Sequence, residues 1–443
     1  MEGIVSILDQ DLYKFCMQLA VREHYPNVYV KYAFTNRDKS MKFNKAAYNW
    51  FVSKVSQLET LSLREDEFEF LKTNCTFLNK EYLNFLKNFR FFPKKQIFHK
   101  FIPDSNKTPS EKTPGNISES TSLQDLQIFG DIELTVEGIW SEVILYEIPL
   151  LALISESYFK FVDTDWSIEN QEEIIRNKAI LMLKNNCVFS EFGTRRRRSF
   201  EAHDIIVREL SNILQNGYKE ILESSSESNQ NKPQSLGKIS GTSNVFLAKK
   251  YNMAPVGTVG HEWTMGVAAL EKTFDTGNKL ALYKWHATFK GSLGIALTDT
   301  FGIKSFFLNF DQYLSRTYTG LRHDSGDPNT LIDLAIKHYK NYNIDPKTKV
   351  VVFSDGLNVE KAIHLQKQCE SKGIGSAFGI GTTLTNDFKK SSDPNTQSKA
   401  MNIVIKLIEC GGDGCVKLSD DPGKHSGLES DIKRALEELD LME

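Results

Sequence analysis

A chain of 443 residues with 40% hydrophobic and 25% charged side chains has the composition of a folded protein, long enough for two domains or one large barrel with an appendage. Its 54 basic and 57 acidic residues leave a net charge of −3, which excludes recruitment of nucleic acid or anionic lipid by a broad electrostatic field. The most apolar run, Val143 to Ile154, carries Glu147 and Pro149 and is too short to span a bilayer, so it reads as a buried helix and no membrane association is expected.

The first residues lack the basic and apolar regions of a secretory signal, and Glu2 disfavours an organellar presequence. The expectation is a cytoplasmic chain, with a nuclear fraction left open. Asp9 is placed to cap a helix in which Leu12, Phe15, Cys16 and Leu19 recur at helical spacing, and Val28, Val30, Tyr32 and Phe34 then alternate as in a half-buried strand. Residues 1–150 therefore read as a mixed α+β domain. Polar stretches near 103–124 and 223–234 read as solvated insertions. The six cysteines are scattered with no C-x2-C pair, which points to buried free thiols.

From about Asn186 the pattern changes to eight short apolar runs that stop at Gly, Asp, Glu or His. They begin at Cys187, Lys238, Pro255, Gly294, Gly320, Val350, Ser376 and Asn402, and helical segments such as His203 to Leu214 and Leu331 to Tyr339 separate most of them. Strand–helix alternation implies parallel pairing, and eight repeats fit an α/β fold with an irregular β/α barrel over 151–417. The ends of the runs carry Glu191, Phe192, Arg195, Ser243, His261, Glu262, Asp299, Arg322, Asp324, Asp355, Gly381 and Thr382, where a barrel places its ligands.

Four groups of residues bear on chemistry. Phe378-Gly379-Ile380-Gly381-Thr382 can present backbone N–H groups to a phosphate or form only a tight turn, and Ser354-Asp355-Gly356 adds polar groups to the same rim. Arg322 and Asp324 face the same way on an extended chain, as a phosphate and ribose clamp or as a salt bridge. The run Arg195 to Arg198 is a solvated or nucleic-acid-binding patch on one reading; on the other, Phe192 stacks on a small anionic aromatic ligand and Arg195 pairs with its charge. His261 ends a run of small residues with Glu262 beside it as a candidate to orient the ring, and it is a structural or a catalytic histidine. No H-E-x-x-H follows, so Mg2+ alongside phosphates is the expected metal rather than zinc.

Asp9-x-Asp11-Leu12-Tyr13-Lys14, Glu191 to Arg196, Gly241 to Val245, Gly257-Thr258-x-x-His261-Glu262-Trp263, Arg322 to Asp327, Ser354 to Asn358 and Phe378 to Thr382 occur in an order that resembles the nicotinate phosphoribosyltransferase family. The resemblance runs from Ile7 to the segment Lys417 to Lys424. It implies a type II phosphoribosyltransferase with a mixed N-terminal domain, joined by residues 418–443, on an irregular barrel. It also implies a head-to-tail homodimer that joins nicotinate to phosphoribosyl pyrophosphate, with ATP as co-substrate, in NAD salvage.

By the same resemblance His261 is transiently phosphorylated, Tyr13 from the neighbouring subunit and Phe192 sandwich the pyridine ring, and Arg195 faces its carboxylate. Arg322, Asp324, Asp355, Gly381 and Thr382 hold the ribose 5-phosphate beside Gly356 and Gly379, and Asp324 stabilises positive charge on the sugar. Ser243 stands where nicotinamide-specific relatives carry an aspartate, so it is expected to meet the nicotinate carboxylate without repulsion. Gly260 departs from the alanine usual before the histidine. The rival readings are a nicotinamide phosphoribosyltransferase, a decarboxylating quinolinate enzyme and a nucleic-acid-binding protein.

Overall fold

The computed structural model describes residues 2–104, 123–216, 218, 236–421 and 425–441. The stretch 223–234 and the interior of 103–124 lie outside the described residues, so the expected insertions are not addressed by them.

Two sheets organise the described chain. In the first, Tyr29–Asn36 lies between Phe129–Ile139 and Ile403–Cys410, antiparallel to both, and Ile97–Pro103 pairs with Phe129–Ile139. In the second, six parallel strands run in the order Lys238–Thr242, Val188–Glu191, Gly375–Ile380, Val350–Phe353, Gly320–His323, Ile295–Leu297. Helices such as Phe200–Gln215, Pro328–Asn341 and Val359–Lys372 connect these strands, which is what parallel pairing demands. The α/β class and the mixed N-terminal part are therefore as expected.

Two of the eight expected strands differ. Pro255 makes only a single parallel bridge to Thr242, after which the chain turns into the helix His261–Leu270, so the ladder is irregular there. The run from Asn402 is no barrel strand: Ile405 faces Phe34 and Leu407 faces Tyr32 in the antiparallel sheet. Its alternation of buried Ile403, Ile405 and Leu407 with half-buried Val404, Lys406 and Ile408 marks a strand covered on one face, the habit of antiparallel rather than parallel sheets.

The helix Leu12–His24 is buried along almost its whole length. Asp9 does not cap it; Asp11 holds the capping position without bonding the helix's own N–H groups through its side chain, and Asp9 is committed to Arg197 and Asn244. Val143 to Ile154 does lead into a buried helix, Glu147–Phe161. Among the described residues no helix is long and apolar enough to cross a membrane, and all six cysteines are buried and free.

Candidate active site

The parallel strands end at a cavity of about 450 Å3, whose far side is formed by Asn402 to Leu407 of the antiparallel sheet. It brings together Tyr13, Phe192, Arg195, His261, Arg322, Asp324 and Asp355, with Gly356, Gly379, Gly381 and Thr382 along its rim. Ser243 is not among the lining residues. It is fully buried, and its hydroxyl donates to Asp11 at 2.7 Å, so it meets the cavity only through that carboxylate.

Tyr13 lines the cavity of its own chain, against the expectation that it reaches a neighbour. The start of its helix is pinned to the segment after Lys238–Thr242 by Leu12 N–H to Ser243 O (2.8 Å) and Val245 N–H to Gln10 O (2.9 Å). The glycines then make room for the rings. A Cβ on Gly260 would stand 3.2 Å from the Tyr13 ring, and one on Gly379 would stand 3.2 Å from the Phe192 ring. The glycine before His261 thus has a steric reason.

The four arginines divide by role. Arg195 lines the cavity with a side chain 42% exposed, 3.7 Å from Glu147, and Arg196 bonds the Ile403 carbonyl at 3.1 Å. Arg197 is fully buried and bidentate to Asp9 at 2.7 and 3.0 Å, with Glu156 on its Nε at 2.8 Å. Arg198, also buried, bonds Ser398 and lies 3.6 Å over the Phe159 ring. Two of the four thus hold the fold, so the run is not the solvated basic patch of the nucleic-acid reading.

His261 sits at the first position of its helix, with Nε2 2.8 Å from Asp299 and 3.8 Å from Asp324. A carboxylate partner fixes the proton on Nε2 and leaves Nδ1 as the basic nitrogen. Burial pushes the His261 pKa down, so the ring is neutral near pH 7 despite the acids beside it. Asp299 also accepts from Ser325 at 2.6 Å and pairs with Lys417 at 2.9 Å. Burial alone would raise its pKa, but His261 and Lys417 hold it well below the usual carboxylate range.

Glu262 was the candidate for orienting His261, and the structure assigns that task to Asp299 instead. Glu262 turns the other way, accepting from Trp140 Nε1 at 2.7 Å and from the fully buried Lys14, which also pairs with Glu147 at 2.6 Å. Asp299 had a legible signal, since it ends a strand run. Glu147, Arg37 and Lys406, all at the cavity, come from distant segments with no motif of their own, while Lys417 opens the segment that ends the resemblance.

Arg322 and Asp324 form the salt bridge, and both line the cavity. Arg322 bonds Ser354 at 2.8 Å, Val259 O at 3.1 Å and Asp324 at 3.1 Å, while still lining the cavity. Against burial, Arg322 and His261 hold the Asp324 pKa at about 2, so it is a carboxylate at neutral pH.

The arrangement matches known proteins over its whole length. The description "Nicotinate phosphoribosyltransferase (NAPRTase) family" covers residues 187–439, and that of the family's N-terminal domain covers 8–155. The chain belongs to the nicotinate phosphoribosyltransferase family. It is similar to the nicotinate phosphoribosyltransferase of Saccharomyces cerevisiae, 40% identical over 99% of this chain and 96% of that protein. The Methanosarcina acetivorans nicotinate phosphoribosyltransferase is also 40% identical, over 96% of this chain and 95% of its own. The crystal structure of nicotinate phosphoribosyltransferase from Porphyromonas gingivalis has a TM-score of 0.82 at 33% identity, covering 99% of this chain and 100% of its own.

The cavity also offers oxygen donors of the kind Mg2+ takes. Asp324 and Asp355 line it, and Asp355 has no hydrogen-bond or ion-pair partner for its carboxylate among the described residues. Within the cluster of His261, Asp299 and Asp324, both Asp299 oxygens are taken and Asp324 Oδ1 accepts from Arg322 and Ser354, which leaves Asp324 Oδ2 and the Asp355 carboxylate as the oxygens best suited to a metal.

Proposed function

We propose that this chain joins nicotinate to 5-phosphoribosyl 1-pyrophosphate, giving nicotinate mononucleotide and pyrophosphate, with ATP hydrolysis coupled through a transient phosphate on His261. The observation that carries this reading is the meeting, in one cavity, of two aromatic rings and an arginine with the Arg322, Asp324 and Asp355 rim and a histidine. Tyr13 and Phe192 stack on the pyridine and Arg195 pairs with its carboxylate. The pyridine nitrogen has a free lone pair, so no general base is required; the difficulty lies in expelling pyrophosphate and stabilising positive charge on the ribose. Asp324, ionised at neutral pH, supplies the negative charge for the second task. Mg2+ held by Asp324 and Asp355 would neutralise charge on the pyrophosphate.

For His261 the support is the neutral ring, held through Nε2 by Asp299 with Nδ1 left basic, an arrangement suited to accepting a phosphoryl group. The setting of this reading is cytoplasmic NAD salvage. The homodimer with shared active sites is kept in this reading, with Tyr13 and Phe192 of one chain lining the same cavity.

Product formation from nicotinate, phosphoribosyl pyrophosphate and Mg2+, measured with and without ATP, tests this. Nicotinate mononucleotide should form with ADP released in step, and nicotinamide should react poorly. Equal use of nicotinamide would overturn the substrate choice, and product formation indifferent to ATP would overturn the coupling.

A further inference from the structure

Among the described residues, one carboxylate of the pyridine pocket has no ion-pair partner. Asp11 lines the cavity beside Tyr13 and Arg195, yet is only 2% exposed. Arg195, which lines the same cavity, is the cation whose charge acts on it, and Arg195 also faces Glu147. Glu147 shares the single charge of Lys14 with Glu262. Two cations, Arg195 and Lys14, therefore already stand against three carboxylates before substrate enters, and nicotinate brings a fourth. When its carboxylate takes Arg195, Asp11 is left buried, uncompensated and facing a like charge, the situation in which an acid takes a proton.

We propose that Asp11 meets the nicotinate carboxylate as a neutral acid, so that nicotinate binds with uptake of one proton. This rests on the nicotinate reading above. The proton comes from solvent onto an Asp11 oxygen, and the resulting O–H donates to a carboxylate oxygen of the substrate, a short charge-assisted bond. The groups facing Asp11 are Arg195, Glu191, Tyr13 and the hydroxyls of Thr194 and Ser243. Burial and Glu191 push its pKa up, while Arg195 and the two hydroxyls pull it down, with the net direction upward. Loss of Arg195 to the substrate moves it further the same way. Neutral nicotinamide imposes no such demand.

Titration calorimetry of the full chain with nicotinate, in buffers of different ionisation enthalpy, reads the protons directly. Uptake should approach one proton per nicotinate above the free-state pKa of Asp11, with Kd weakening about tenfold per pH unit there. Nicotinamide should bind without uptake. Asp11→Asn should bind nicotinate without uptake, and Ser243→Ala, which removes a donor that favours the carboxylate, should shift the onset of uptake to higher pH. Nicotinate binding without proton uptake in the unmodified chain, or uptake that persists in Asp11→Asn, would overturn the inference alone. Failure of nicotinate to bind or react at all would overturn the functional reading beneath it.

Discussion

The Nε2 of His261 lies 2.8 Å from Asp299, 38 positions further along the chain, while the adjacent Glu262 faces Lys14 and Trp140. Asp299 therefore selects which ring nitrogen is basic. Its replacement by Asn can present the wrong partner to Nε2 without changing side-chain size. Asp299→Asn should lower the ATP-dependent kcat by about a hundredfold or more, the order seen when a histidine loses its orienting carboxylate. His261→Ala should abolish ADP release in step with product. Wild-type coupling in either variant, followed as the ADP-to-product ratio, would refute the assignment.

Because Tyr13 and Arg195 line one cavity in one chain, two defective chains have nothing to complement. Tyr13→Ala and Arg195→Ala proteins, mixed under conditions where subunit exchange is verified, should recover no activity. Recovery toward a quarter of the wild-type rate would mean that the cavity is completed between chains.

Arg195 and Arg197 are two residues apart and should fail in different ways. Arg197 is fully buried between Asp9 and Glu156, and removing it strands two buried carboxylates, at a cost of about 3–5 kcal/mol. Arg197→Met should lower Tm and the urea midpoint markedly. Arg195→Ala should leave both close to wild type while raising KM for nicotinate. Equal loss of stability in the two would contradict the division of the run.

Asp420 gives a pH signature. It accepts from the Ile303 N–H at 2.8 Å, and burial pushes its pKa from the ordinary 3.8 up to about 6. A raised acid binds its proton more tightly folded than unfolded, so its stabilising contribution is complete below about pH 3.8 and is lost as pH rises through about 6. Asp420→Asn keeps the acceptor and removes the ionisation. Its Tm should therefore exceed that of the wild type at pH 8, with little difference at pH 4. A difference that does not change with pH would refute the argument.

Much of this protein is determined by the sequence alone. The parallel strand–helix alternation, the buried helix after Val143, the free thiols and the rim residues Phe192, His261, Arg322, Asp324, Asp355 and Gly381 all follow from local pattern, because each depends on neighbours within a few positions. The tertiary structure decided the rest. The run from Asn402 reads as one more barrel strand, and only its pairing with the edge of Tyr29–Asn36 places it in the antiparallel sheet. Asp299 reaches His261, Lys417 reaches Asp299 and Ser243 reaches Asp11 across 38 to 232 positions, and spacing along the chain says nothing about such distant partners. The same holds for Arg197 and Arg198, which read as a solvated run until their buried partners Asp9, Glu156 and Ser398 are in view. A charge run shows where cations are, but burial and counter-charge decide what they do, and both are properties of the packed chain.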